Sequence, residues 1–149
     1  MRDALYIFGD ITLVTADTDV KSADVLDMET LTGSRFSRHA AGVSGPDLYI
    51  VFKAADDFSA SSPEDGMIPF LEEGSAESGG DITSPKKILI GPQITAPEKG
   101  NVFAMPIPAN VDRYIRAGCT PKSDATFDGA VVEAWIEFGP NVPEQGPDA

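Results

Sequence analysis

The sequence predicts an all-β protein, a sandwich or barrel of antiparallel strands. Three observations carry this. Seven or eight short runs are rich in aromatic and β-branched residues, several with period-two alternation. Fourteen glycines and twelve prolines punctuate the spaces between them. No window of 11 or more residues holds an uninterrupted amphipathic helix.

Taken in order, ALYIF and ITLVTA near the N-terminus, then ADVLDM, give the first two or three strands. The stretch DLYIVFKA, residues 47–54, is the next and is dense in strand-favouring side chains. Residues 56–81 differ from the rest. They hold eight acids and no lysine or arginine, with an apolar island at Met67, Ile68, Phe70 and Leu71. The expectation is a long acidic loop excursion anchored by that island, with Pro69 interrupting the one helical turn in DGMIPFLEEG. KKILIGP, 86–92, and NVFAMPIP, 101–108, follow as strands. Pro106 and Pro108 push the end of the second toward a sheet edge or an extended strand exit.

VDRYIRAGC, 111–119, places Ile115, Ala117 and Cys119 on one face and Tyr114 and Arg116 on the other. GAVVEAWIEFGP, 129–140, has the clearest alternation. Ala130, Val132, Ala134, Ile136 and Phe138 face one way, while Val131, Glu133, Trp135 and Glu137 face the other. With only a polar loop between them, these two strands are expected to pair. One domain covers residues 1–140, and 141–149 form a flexible acidic tail.

The net charge of −13, from 24 acids and 11 bases, disfavours nucleic acid and anionic membranes as partners. The opening ALYIF is too short for a signal peptide, and no run approaches the length of a membrane span, so a soluble protein made in a cytoplasm is expected. A single cysteine, Cys119, excludes an intramolecular disulfide. The only histidine, His39, sits in the polar GSRFSRHAAG, with no catalytic Cys–His motif around either residue.

No phosphate loop, dinucleotide fingerprint, nucleophile elbow, zinc set or EF-hand loop is present. Among 24 acids, close carboxylate pairs arise by chance, so they do not argue for a glycosidase. The expectation is therefore no enzyme and no cofactor, with no metal ligands assigned. DDFSASSPED and DTD offer oxygen atoms to calcium but lack the EF-hand spacing.

The candidates left are interface residues. Arg113, Tyr114 and Arg116 crowd one short strand of an acidic chain, and Trp135 lies on the polar face of another. Exposed Trp, Tyr and Arg are enriched at interface hot spots. Arg35 and Arg38 in GSRFSRHAAG join them as candidates. The bland reading of the same face is cover by a second layer. The same aromatics also suit stacking on a sugar ring, which makes a carbohydrate-binding sandwich the alternative.

The C-terminal run FAMPIPANVDRYIRAGCTPKSDATFDGAVVEAWIEF resembles the capsid cement (decoration) proteins of short-tailed bacteriophages, a jelly-roll family. The pattern is an apolar strand ending in proline (Met105 to Pro108) and an Arg-Tyr-Ile-Arg strand (113–116). A Thr-Phe-Asp-Gly loop (126–129) and a last strand from Ala130 to Phe138 complete it. DALYIFGDITLVTADTDVKSADVLDM and DLYIVFKAADDF fit its earlier strands. The resemblance implies a jelly roll and a structural virion protein on the outer face of the icosahedral head. It implies a homo-oligomer, a trimer, bound between major capsid proteins and stabilising the expanded shell.

Overall fold

The computed structural model describes residues 7–13, 18–28, 48–57, 66–95, 97–108, 111–122 and 130–138. Every element assigned within them is a β-strand: β1 (Ile7–Leu13), β2 (Val20–Lys21), β3 (Leu26–Asp27), β4 (Leu48–Ala54), β5 (Gly66–Gly74), β6 (Glu77–Ser78), β7 (Asp81–Ile82), β8 (Lys86–Ile90), β9 (Val102–Pro106), β10 (Tyr114–Lys122) and β11 (Ala130–Phe138).

Two antiparallel sheets form a sandwich. The first has the order β1-β11-β4-β9; the second has β2-β10-β5-β8, with β3 also pairing to β10. The two short strands β6 and β7 pair only with each other. If that small hairpin is set aside and β2 and β3 are counted as one interrupted strand, the chain is a long ladder folded on itself. Its first strand pairs the last, the second the second to last, and so inward to β5 with β8. Wrapping that ladder adds the β11–β4 and β10–β5 pairings. This is jelly-roll connectivity, as the resemblance implied.

The alternation seen in the sequence builds the core. Ile50 and Phe52 of β4, Val132 and Ala134 of β11, and Ile115, Ala117 and Cys119 of β10 point between the sheets and are buried. Phe8, Ile11 and Leu13 of β1 join them. A register shift between Ile7 and Gly9 resets the phase of β1 so that Phe8 and Ile11, three apart, both face inward. Gly9 sits there at φ +94, a backbone state that side chains rarely adopt.

Two expectations need correction. Residues 66–74 are not loop but β5, a nine-residue strand that pairs with β10 on one side and β8 on the other. Pro69 is tolerated because of where it falls. Its carbonyl accepts a 2.8 Å bond from the Gly91 amide, just past the end of β8. The carbonyl and nitrogen of a strand residue face the same neighbour, so the missing N–H coincides with the end of the β5–β8 ladder.

The second correction concerns β10 and β11. They do not pair: they lie in different sheets, because this connectivity sends the chain from one sheet to the other between them. Residues 141–149, expected as an acidic tail, and residues 58–65 of the expected excursion lie outside the described residues.

Candidate functional site

The split of β10 and β11 separates the sequence-predicted interface residues. Tyr114 and Arg116 lie on the outer face of the second sheet, and Trp135 on the outer face of the first. The structure does not bring them together. Arg35, Arg38 and His39 lie outside the described residues.

On the first sheet, cross-strand register aligns Ile7, Trp135, Val51 and Ala104 in one apolar row across all four strands. Trp135 is only 4% exposed and Val51 is fully buried. The Trp135 Nε1 donates a 2.8 Å hydrogen bond to Glu137 Oε1 on its own strand. The indole is therefore packed within its own chain, satisfied at its polar end and without an exposed face to offer a partner or a sugar. That corrects its expected role as an exposed hot spot.

On the second sheet the arginines are held by acids and carbonyls of the same chain. Arg113 makes a two-pronged contact, Nε to Asp27 Oδ1 and a terminal nitrogen to Asp27 Oδ2, each 3.0 Å. Its guanidinium also lies 5.0 Å from the Tyr114 ring centroid. Arg116 donates from Nε to the Ser22 carbonyl at 2.8 Å and from a terminal nitrogen to Asp81 Oδ1 at 2.6 Å. Its side chain is 12% exposed. Arg116 thus ties β10 to the chain beside β2 and to the β6–β7 hairpin. The positive charge gathered on this strand is spent on holding the second sheet together, since β2 and β3 offer only two residues of ladder each.

Two further ion pairs cross this face. Lys21 on β2 reaches over β10, placing Nζ 3.0 Å from Glu72 Oε1 on β5. The Glu72 side chain is 4% exposed, and this contact is a meeting of charges without an aligned hydrogen bond at that oxygen. Lys87 on β8 reaches in the opposite direction to Asp19, beside β2, at 2.8 Å. On the way its Nζ passes 4.4 Å from the centroid of the Phe70 ring. Thr120 Oγ1 also donates to Asp19, at 2.6 Å.

Burial alone would raise the Asp19 carboxyl's pKa. The hydrogen bonds from Lys87 and Thr120 and the charges of Lys87 and Lys21 together outweigh it and hold the group below its ordinary range. Lys87 therefore straps the two edges of the second sheet across an aromatic ring. No sequence pattern marks these pairs: their partners are separated by 35 to 101 positions in the chain.

Tyr114 lines an open cleft of ≈ 360 Å³ with Asp24, Asp27 and Glu77. Asp27 is engaged by Arg113, and Glu77 Oε1 accepts the Gly80 amide at 2.8 Å. Among the described residues no group of three or more His, Cys, Asp and Glu is placed to hold a metal ion, and no helix is long and apolar enough to cross a membrane. Cys119 is fully buried, and burial pushes its thiol pKa far up, so it is a core side chain rather than a nucleophile.

The edges of the two sheets differ. The free edge of β1 receives the Asp24 amide at the Phe8 carbonyl, 2.9 Å. The strand β9 ends at Pro106, which has no N–H to offer. The β8 edge carries the sequence KKILI with exposed residues at both ends. No protein-family model matches this chain, and no curated protein is significantly similar to it.

Proposed function

We propose that the chain is a structural virion protein: a cement protein on the outer surface of an icosahedral phage head, bound between major capsid proteins and stabilising the expanded shell. It works as a homotrimer, made in the host cytoplasm, and needs neither nucleic acid nor membrane. The observation that carries this reading is the fold of the stretch that resembles cement proteins. Residues 101–138 supply β9, β10 and β11, which alternate between the two sheets of a jelly roll.

The physics suits the task. A stretched shell needs a clamp that does not itself deform, and charged straps across the second sheet limit sliding of its strands. Repetition of modest contacts over many copies gives tight attachment through effective concentration. A net charge of −13 keeps decorated particles apart.

The glycan-binding alternative asks for several aromatics converging on one exposed face. Trp135 is buried, and Tyr114 lies on the opposite side of the sandwich. The test is co-sedimentation of the purified protein with expanded, undecorated heads of its phage. Saturable binding at a fixed ratio to the major capsid protein supports the reading. A monomer that leaves the heads bare overturns it.

A further inference from the structure

The edge of β8 combines features that the other sheet edges lack. Gly91 donates its amide to the Pro69 carbonyl, so the main chain of residue 91 faces β5. Main-chain groups alternate sides along a strand, so the N–H and C=O of Ile90 face away from the sheet. The Ile90 side chain, opposite Phe70 in the register, is 66% exposed, the one large hydrophobic residue so exposed among the described residues. Main chain and side chain at this position are thus both open to a partner.

The other end of the strand is cationic. Lys86 and Lys87 are exposed neighbours in a chain of net charge −13. Lys87 already serves Asp19. Glu73, opposite Lys86 in the register, uses one carboxylate oxygen to accept the Asp112 amide at 2.7 Å. Edge strands are usually protected by bulges, charges or prolines. Here the bulge between Leu71 and Glu72 and the two lysines guard only the first half, and Ile90 is unguarded.

We propose that β8 is a docking edge for an extended segment of the shell protein, which adds to the second sheet as an antiparallel strand. The inference rests on the cement reading. The orientation dictates the chemistry of that segment. A strand antiparallel to β8 begins beside Ile90 and ends beside Lys86. It presents an apolar side chain next to Ile90 and carries acidic residues at its C-terminal end, in reach of the lysines. Main-chain bonds supply the affinity, and the two ends fix register and direction.

The test uses the full chain and undecorated heads. Ile90→Pro removes the outward N–H without touching a bond to β5, and it is expected to weaken binding roughly tenfold or more. Lys86→Glu is expected to weaken it roughly threefold, more at low salt. A second measurement covers a variant that folds poorly. In wild type, hydrogen exchange of the outward Ile90 amide, within the peptide spanning 86–91, should be fast in free protein and slowed on the heads.

Wild-type binding with unchanged affinity in both variants, or with no protection at 86–91, overturns the docking edge while leaving the cement reading intact. No wild-type binding overturns both. If Ile90→Pro instead converts a free oligomer to monomers, the occupant of the edge is a second copy of this chain, and the assignment to the shell protein is wrong.

Discussion

The ring of Phe70 lies flat against Gly118. A Cβ placed on Gly118 would stand 2.2 Å from Phe70 Cζ, and Lys87 covers the opposite side of the ring. The glycine is needed for space, since its backbone is ordinary strand in register with both Phe70 and Lys21. Gly118→Ala should therefore cost about 1–3 kcal/mol by overpacking. Combining it with Phe70→Leu should cost less than the sum of the two changes, because the smaller side chain vacates the clash. Urea denaturation of the two single variants and the double variant measures the coupling, and simple additivity would contradict the contact.

Arg116 should matter more to stability than its place on a surface strand suggests. Truncation to Ala strips the Ser22 carbonyl of a charged donor and frees Asp81, and with it the hairpin, from β10. Hydrogen bonds to charged groups are worth about 1.5–3 kcal/mol. The expected outcome of Arg116→Ala is a loss near the lower end, because the Asp81 side of the contact is open to water. Hydrogen exchange should speed up at residues 77–82 before the core is affected. Arg116→Lys should recover only part of the loss, since one ammonium cannot span both acceptors as the planar fork does.

How much of this was legible in the sequence varies from strand to strand. The last strand declared itself, because one of its faces is entirely apolar and the other carries Glu133 and Glu137. β5 was hidden. Phe70 and Glu72 share its outer face, with Met67, Pro69 and Leu71 on the other, so no clean alternation remains. What makes Phe70 an inside residue on an outside face is Gly118, 48 positions away, together with Lys87 above it.

The candidate site followed the same logic. An Arg-Tyr-Ile-Arg strand in an acidic chain signals that the cations have partners, and on sequence alone it reads as an interface with another molecule. That those partners are Asp27, Ser22 and Asp81 of the same chain depends on the pairing of β10 with β2 and β3, which no local pattern encodes. The expected pairing of β10 with β11 failed because nearness along the chain does not mean nearness in a jelly roll.

The Lys87–Asp19 strap gives a pH dependence of definite sign. The Asp19 carboxyl is lowered in the folded state, while an unfolded aspartate titrates near about 3.9. Between those two values the unfolded chain binds more protons, so stability rises with pH there. The contribution is complete above about pH 4 and is lost as the pH falls through the folded-state value. Thermal melts of wild type and Asp19→Asn should show a gap at pH 6 that closes as the pH drops toward 3. A gap that widens on acidification would reverse the assignment. The effect is modest, since Asp19 and Lys87 are each about one third exposed.

Cys119 should be silent to thiol reagents in the native protein. It is fully buried in the core between the sheets, and burial raises its pKa, so neither access nor thiolate is available. A disulfide-exchange dye at pH 8 should label the native protein at the rate of global opening, and label denatured protein within seconds to minutes. Fast native labelling would show that β10 opens locally.

The pairing of β1 with β11 has a consequence in time. Among the described residues, 7–13 find their one ladder partner in residues 130–138, more than a hundred positions later. A ribosome has passed residue 130 before the first sheet has the strand that joins β1 to β4, so β1 waits with an unpaired edge until then. Closing so long a loop places folding in the slow range for domains of this size, milliseconds to seconds. A chain that ends before residue 130 leaves both β1 and β4 without the strand that joins them.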